Sequence, residues 1–129
     1  MLSRIALAFI MWSSAQTSSC ATGGVDCPIP QTGRWIPYDQ QNLPEHRIML
    51  EATVLPDGRV VWGRNIISER QLTIFLRRAR EMNPAPYLVL QYRSSLPCPI
   101  IARFRSIFEI HGGCGDITPC SERPLPDSR

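Results

Sequence analysis

The sequence predicts an α+β fold: a small two-layer domain ordered strand-strand-helix-strand-helix-strand, with the helices packed on one face of a mixed sheet. Three observations predict it. Residues 47–62 alternate apolar and polar side chains about a Pro-Asp-Gly turn. Two later segments carry apolar residues at helical spacing, and a continuous apolar run lies between them.

The first strand begins at Arg47. Ile48, Leu50, Ala52 and Val54 fall on one face and Arg47, Met49, Glu51 and Thr53 on the other, because successive side chains of a strand point to opposite sides. Pro56-Asp57-Gly58 is a turn: proline presets its φ and glycine accepts a positive one. Val60 and Trp62 continue the inward alternation in a second strand, and Gly63-Arg64-Asn65 breaks it. Ser68 then caps a helix, with Gln71 three places on to complete a capping box. Leu72, Phe75, Leu76, Ala79 and Met82 recur at the spacing of one apolar stripe, and Asn83-Pro84 stops the helix. Arg70, Arg77, Arg78 and Arg80 fall mostly off that stripe. They read as a solvated face or, in a sharper reading, as a contact surface for anionic polymer or lipid head groups. Residues 87–92, YLVLQY, have strand length and suit a central strand. Pro97 and Pro99 frame a second helix start. Ile100, Ile101, Phe104, Ile107 and Phe108 supply its buried stripe, and Gly112-Gly113 ends it. Asp116-Ile117-Thr118 is the expected short last strand.

The flanking segments set the context. Residues 1–15 read as a signal peptide: Arg4 gives a positive start, residues 5–12 are apolar, and Ser13-Ser14-Ala15 is a small-residue cleavage signal. The apolar stretch falls short of the roughly 20 residues that cross a bilayer. The second reading is a lipoprotein signal to residue 19 with Cys20 lipidated, although Thr17 stands where leucine is usual. Residues 16–45, rich in Ser, Thr, Gly, Pro and Gln, read as a linker with one extended stretch at Trp35-Ile36. Residues 46–120 form the domain and 121–129, with two prolines, a loose tail. The expected location is the periplasm or another exported compartment, free or lipid-anchored to the membrane.

Composition narrows the function. All 14 basic side chains besides histidine are arginine, the formal charge is +3, and the arginines are scattered, so nucleic acid is not an expected partner. Export places Cys20, Cys27, Cys98, Cys114 and Cys120 where disulfides persist. If Cys20 is lipidated or free, four remain for two bridges. A helix from Cys98 to Cys114 would hold those thiols on the order of 20 Å apart, against the roughly 7 Å between Cα atoms that a bridge allows. A right-handed crossover returns the last strand parallel to YLVLQY and carries Cys120 toward Cys98. Cys98–Cys120 is therefore the expected bridge, with Cys114–Cys120 as the local rival. His111, Cys114, Cys120 and Cys98 match no common zinc spacing, so no metal and no cofactor is expected. His46 and His111 assemble no catalytic constellation. His111 suits a helix C-terminus as a cation, and neither a Ser-His-Asp order with its glycine motif nor a phosphate loop is present. The chain is not expected to be an enzyme.

From IMLEATVLPDGRVVWGRNIISERQLTIFLRRAREMNPAPYLVLQY, followed by an amphipathic helix ending in Gly-Gly, the chain resembles the periplasmic domain of the ExbD/TolR biopolymer-transport proteins over residues 46–118. The resemblance implies a small two-layer α/β unit that dimerises. It also implies partnership with proton-channel or energy-transducing envelope proteins and work at the outer membrane, through capture of a partner strand or binding of peptidoglycan. The family's membrane helix carries an aspartate used in proton passage. Residues 1–15 contain no acid, so no position inherits that role. Binding is then the expected function, with a small disulfide-stabilised exported domain of structural or inhibitory use as the alternative. A mixed sheet has edge strands with unpaired backbone groups that accept a partner strand. The outward face of the first hairpin, with Arg47, Met49, Glu51 and Thr53, is the expected neighbour of such an edge.

Overall fold

The structure, a computed structural model, describes residues 27–29, 33–38 and 47–127. Among them the order is β1 (Met49–Val54), β2 (Val60–Trp62), β3 (Asn65–Ile67), α1 (Glu69–Arg80), β4 (Tyr87–Arg93), α2 (Cys98–Gly112) and β5 (Cys120–Leu125). The strands form one mixed sheet in the order β3-β2-β1-β4-β5. Pairing is antiparallel from β3 through β1 and parallel from β1 to β5. The fold is the expected α+β class with one strand more. That strand, β3, follows a two-residue turn at Gly63-Arg64, where Gly63 takes φ 65° at the first central position. The interruption of alternation at residues 63–65 is thus a second hairpin.

Both helices begin as their sequences dictate, and α1 ends at Arg80, ahead of the expected stop at Asn83-Pro84. The Ser68 side chain accepts from the Gln71 N–H and the Gln71 side chain accepts from the Ser68 N–H, closing the capping box of α1. Pro99 sits in the first turn of α2, and Gly113 closes it in the left-handed conformation at φ 74°. Leu72, Leu76 and Ala79 of α1 and Ile101, Phe104, Ile107 and Phe108 of α2 are buried against Ala52, Val54, Val60, Leu88, Leu90 and Tyr92 of the sheet. Phe75 packs at the margin, 5.7 Å from the Trp62 ring. Ile48 and Met82 were expected inside; Ile48 precedes β1, Met82 follows α1, and both are exposed. Gly112 lies under Leu88, whose methyl would stand 3.1 Å from an added Cβ.

The last strand is displaced from its expected place. Residues 116–118 form a tight turn closed onto the Gly113 carbonyl, and β5 occupies what reads as tail. Leu88 pairs with Cys120 and Arg93 with Leu125. Pro124 is tolerated because β5 is an edge strand, where a missing N–H leaves no ladder bond unmade. This shift corrects the disulfide expectation. Cys120 starts the last strand instead of following it, so it lies beside the C-terminal end of α2, and Cys98 lies at the other end. Cys114–Cys120 forms the local bridge, with Cα atoms 5.4 Å apart. Cys98 pairs with Cys27 across 5.2 Å. Cys98–Cys120 is not formed.

Residues 27–29 and 33–38, an arm within the stretch read as linker, are therefore part of the fold. Trp35 is buried, tilted against Phe108 at 6.0 Å, and its Nε1–H donates to Glu109 at 2.7 Å. The Ile36 N–H donates to the Cys120 carbonyl at 2.8 Å, which lays the arm along the outer edge of β5. Gly115 meets Arg34 so closely that a Cβ there would stand 2.6 Å from the Arg34 Cα. No helix among the described residues is long and apolar enough to cross a membrane. The leader, its cleavage site, Cys20 and His46 lie outside the described residues.

Candidate functional site

β1 is six residues long and β2 is three. Their ladder runs from Val54↔Val60 to Ala52↔Trp62 and stops where the chain turns away at Gly63. β1 pairs with β4 along its whole length. On its other side, residues 49–51 have no strand partner among the described residues. The mismatch leaves a recess of about 260 Å³, lined by Met49, Leu50, Glu51, Thr53, Val61, Trp62 and Gly63. Met49, Glu51, Thr53 and Val61 reach it from the face away from the helices. Leu50 and Trp62 reach it from the helix side, as expected of a gap in a sheet instead of a dent on one face.

Alternation along a strand explains what the recess offers. The Tyr87 N–H donates to the Ile48 carbonyl, so the backbone groups of even-numbered residues in β1 point toward β4. Those of Met49 and the Glu51 N–H point toward the recess, while the register of the last ladder pair sets the Glu51 carbonyl against the Gly63 N–H. The rim is apolar at Met49, which is 36 % exposed, and at Trp62, with the Glu51 carboxylate and Thr53 hydroxyl between. Backbone groups, a flat aromatic and one carboxylate suit recognition of an extended chain.

Met49, Glu51 and Thr53 of the predicted set come together here. Arg47 does not: it donates to the Ala85 carbonyl at 2.6 Å and ties the entry of β1 to that of β4. β1 itself is an interior strand, so it offers an edge only where β2 falls short. Val61, Trp62 and Gly63 were missed as site residues. Their signal was the length mismatch between a six-residue strand and a three-residue partner, visible only once residues 63–64 are recognised as a hairpin turn.

A second polar constellation is sealed inside. Glu122 of β5 is 1 % exposed. Its carboxylate accepts from the Tyr92 hydroxyl at 2.7 Å, from the Arg105 guanidinium through Nη2 at 2.9 Å, and again through Arg105 Nε. Arg105 also donates to the Cys27 carbonyl at 3.3 Å. Burial, then the bond to Glu122, pushes the Tyr92 phenol far above its ordinary value. Burial opposes the Arg105 charge, but the Glu122 carboxylate outweighs it and holds the guanidinium above its ordinary value. The group joins β4, β5, α2 and the arm, and its charges are satisfied internally. At the end of α2 the Arg77 Nε–H donates to His111 Nδ1 at 3.1 Å. Accepting that bond requires the neutral imidazole, so His111 is not the expected cation; burial, with Arg77 and Arg80 beside it, keeps its pKa below the ordinary 6.5. Among the described residues no group of three or more His, Cys, Asp and Glu is placed to hold a metal ion.

Against known proteins, no family model, no curated protein and no solved structure matches this chain.

Proposed function

We propose that the chain is a non-catalytic binding domain of the ExbD/TolR kind, acting in the periplasm, free or lipid-tethered through Cys20. It serves biopolymer transport or energy coupling in the cell envelope by holding a partner protein or peptidoglycan. The observation that carries this reading is the recess beside residues 49–51. An extended segment laid there gains backbone hydrogen bonds from Met49 and from the Glu51 N–H, and apolar contact with Trp62. A second copy of the chain is one donor of such a segment. Disulfides fit an oxidising compartment.

Retention of the full chain on murein sacculi, and on membranes carrying proton-channel subunits, tests the reading. One of the two is expected to retain the protein, and Met49→Asp with Thr53→Asp is expected to weaken retention at least about tenfold, as a charge placed on an apolar contact does. Retention on neither would overturn it. That outcome would favour the second reading, a structural or inhibitory exported domain, which the stapling of the arm by Cys27–Cys98 supports.

A further inference from the structure

The outer face of the helical layer takes no part in the core or in the recess. α1 sets Arg70, Ile74, Arg77 and Arg78 opposite its buried Leu72, Leu76 and Ala79. Ile74 is 42 % exposed. α2 runs beside α1 in the same direction. Arg103 bridges to Glu69 at 2.7 Å near the helix starts, and Arg77 meets His111 near the helix ends. The two outer faces therefore form one surface, to which α2 adds Ile110, 66 % exposed.

We propose that this face docks on an anionic phospholipid surface. The proposal is independent of the recess and uses none of its residues. Charge complementarity selects the partner. Glu69 is engaged by Arg103, which leaves Arg70, Arg77 and Arg78 with one acid, Glu81, a turn beyond Arg77 and Arg78 on the same face, so the patch keeps a net positive charge. Guanidinium groups clasp phosphate oxygens through two parallel N–H bonds. The two isoleucines decide between a bilayer and a soluble polyanion. Exposed apolar side chains flanked by arginines gain nothing from a phosphate chain in water, but they enter the boundary between head groups and acyl chains. Each basic residue held near an anionic leaflet raises partition about fivefold.

The experiment sediments the full chain with vesicles mixing phosphatidylglycerol into phosphatidylcholine, and with pure phosphatidylcholine. Residues 5–12 are the same in every variant, so the ratio of the two partition coefficients is the readout. Arg70→Gln with Arg78→Gln is expected to lower that ratio on the order of 25-fold. Arg59→Gln with Arg64→Gln removes the same charge from the hairpin turns and is expected to change it less than about twofold. Ile74→Ser with Ile110→Ser is expected to weaken binding to the anionic vesicles. Equal losses from the two arginine pairs, or no loss from either, would overturn the proposal. So would polyuridylate RNA binding more tightly than the vesicles and being released by the same Arg70 and Arg78 changes.

Discussion

Glu122 is a buried carboxylate held by one cation and one phenol. Arg105→Met leaves its carboxylate buried without a cation, which is expected to cost about 3–5 kcal/mol, read as a fall in the urea midpoint at unchanged slope. Replacing the whole group, Arg105→Met with Glu122→Leu and Tyr92→Phe, is expected to recover most of that loss, because a buried ion pair is worth little more than an apolar filling of the same volume. Ser68→Ala removes the acceptor that satisfies the Gln71 N–H and is expected to cost about 1 kcal/mol. His111 sets a pH dependence. The unfolded chain takes up a proton near 6.5 whereas the folded chain resists it, so the stability this residue confers is lost as pH falls below that value. His111→Gln keeps an acceptor for Arg77 without titrating, and the corresponding slope of stability with pH is expected to vanish. The cap at Ser68 was readable from two residues of sequence because its chemistry is local. Glu122 was not, since Ser-Glu-Arg-Pro looks like any polar tail and its partners lie 17 and 30 positions away.

Elements show the same division between local and distant causes. The two helices, the first hairpin and the apolar strand are each specified by their own spacing and stop signals, and they stand where that spacing puts them. β5 escaped notice because only its first three residues are buried and two prolines follow. The parallel return along β4 was foreseen; the residues that make it were not. The bridges give a direct check on this part of the fold. Cleavage after arginine places Cys27 on a peptide ending at Arg34, Cys98 on residues 94–103, and Cys114 with Cys120 on a single peptide beginning at Ser106. Without reduction, the first two are expected to travel as one cross-linked species and the third to carry an internal bridge. A species joining residues 94–103 to the Ser106 peptide would contradict β5 as well as the pairing. Gly115→Ala is expected to loosen the arm, because the new methyl would collide with Arg34 at a position where φ is +82°.

At the scale of the whole molecule, the arm converts a small domain into a closed one. Cys27–Cys98 spans 71 residues of sequence and Cys114–Cys120 spans 6. Chain-entropy reasoning then gives the longer loop about 4 kcal/mol and the shorter about 2. Cys27→Ala with Cys98→Ala is accordingly expected to lower the unfolding free energy about twice as far as Cys114→Ala with Cys120→Ala, measured in urea. Three of the recess residues, Met49, Glu51 and Thr53, were legible because alternation fixes which way a side chain points. The recess itself was not, because it arises from where a neighbouring strand ends.

The arm has one further consequence. Ile36 occupies the border of β5 at Cys120, whereas along β3, at the opposite margin, Ile66 is exposed and no described strand lies beside it. A strand added at Cys120 would meet the arm, whereas one added along β3 would meet no described strand. Copies joining edge to edge through the start of β5 would first have to displace the tethered arm.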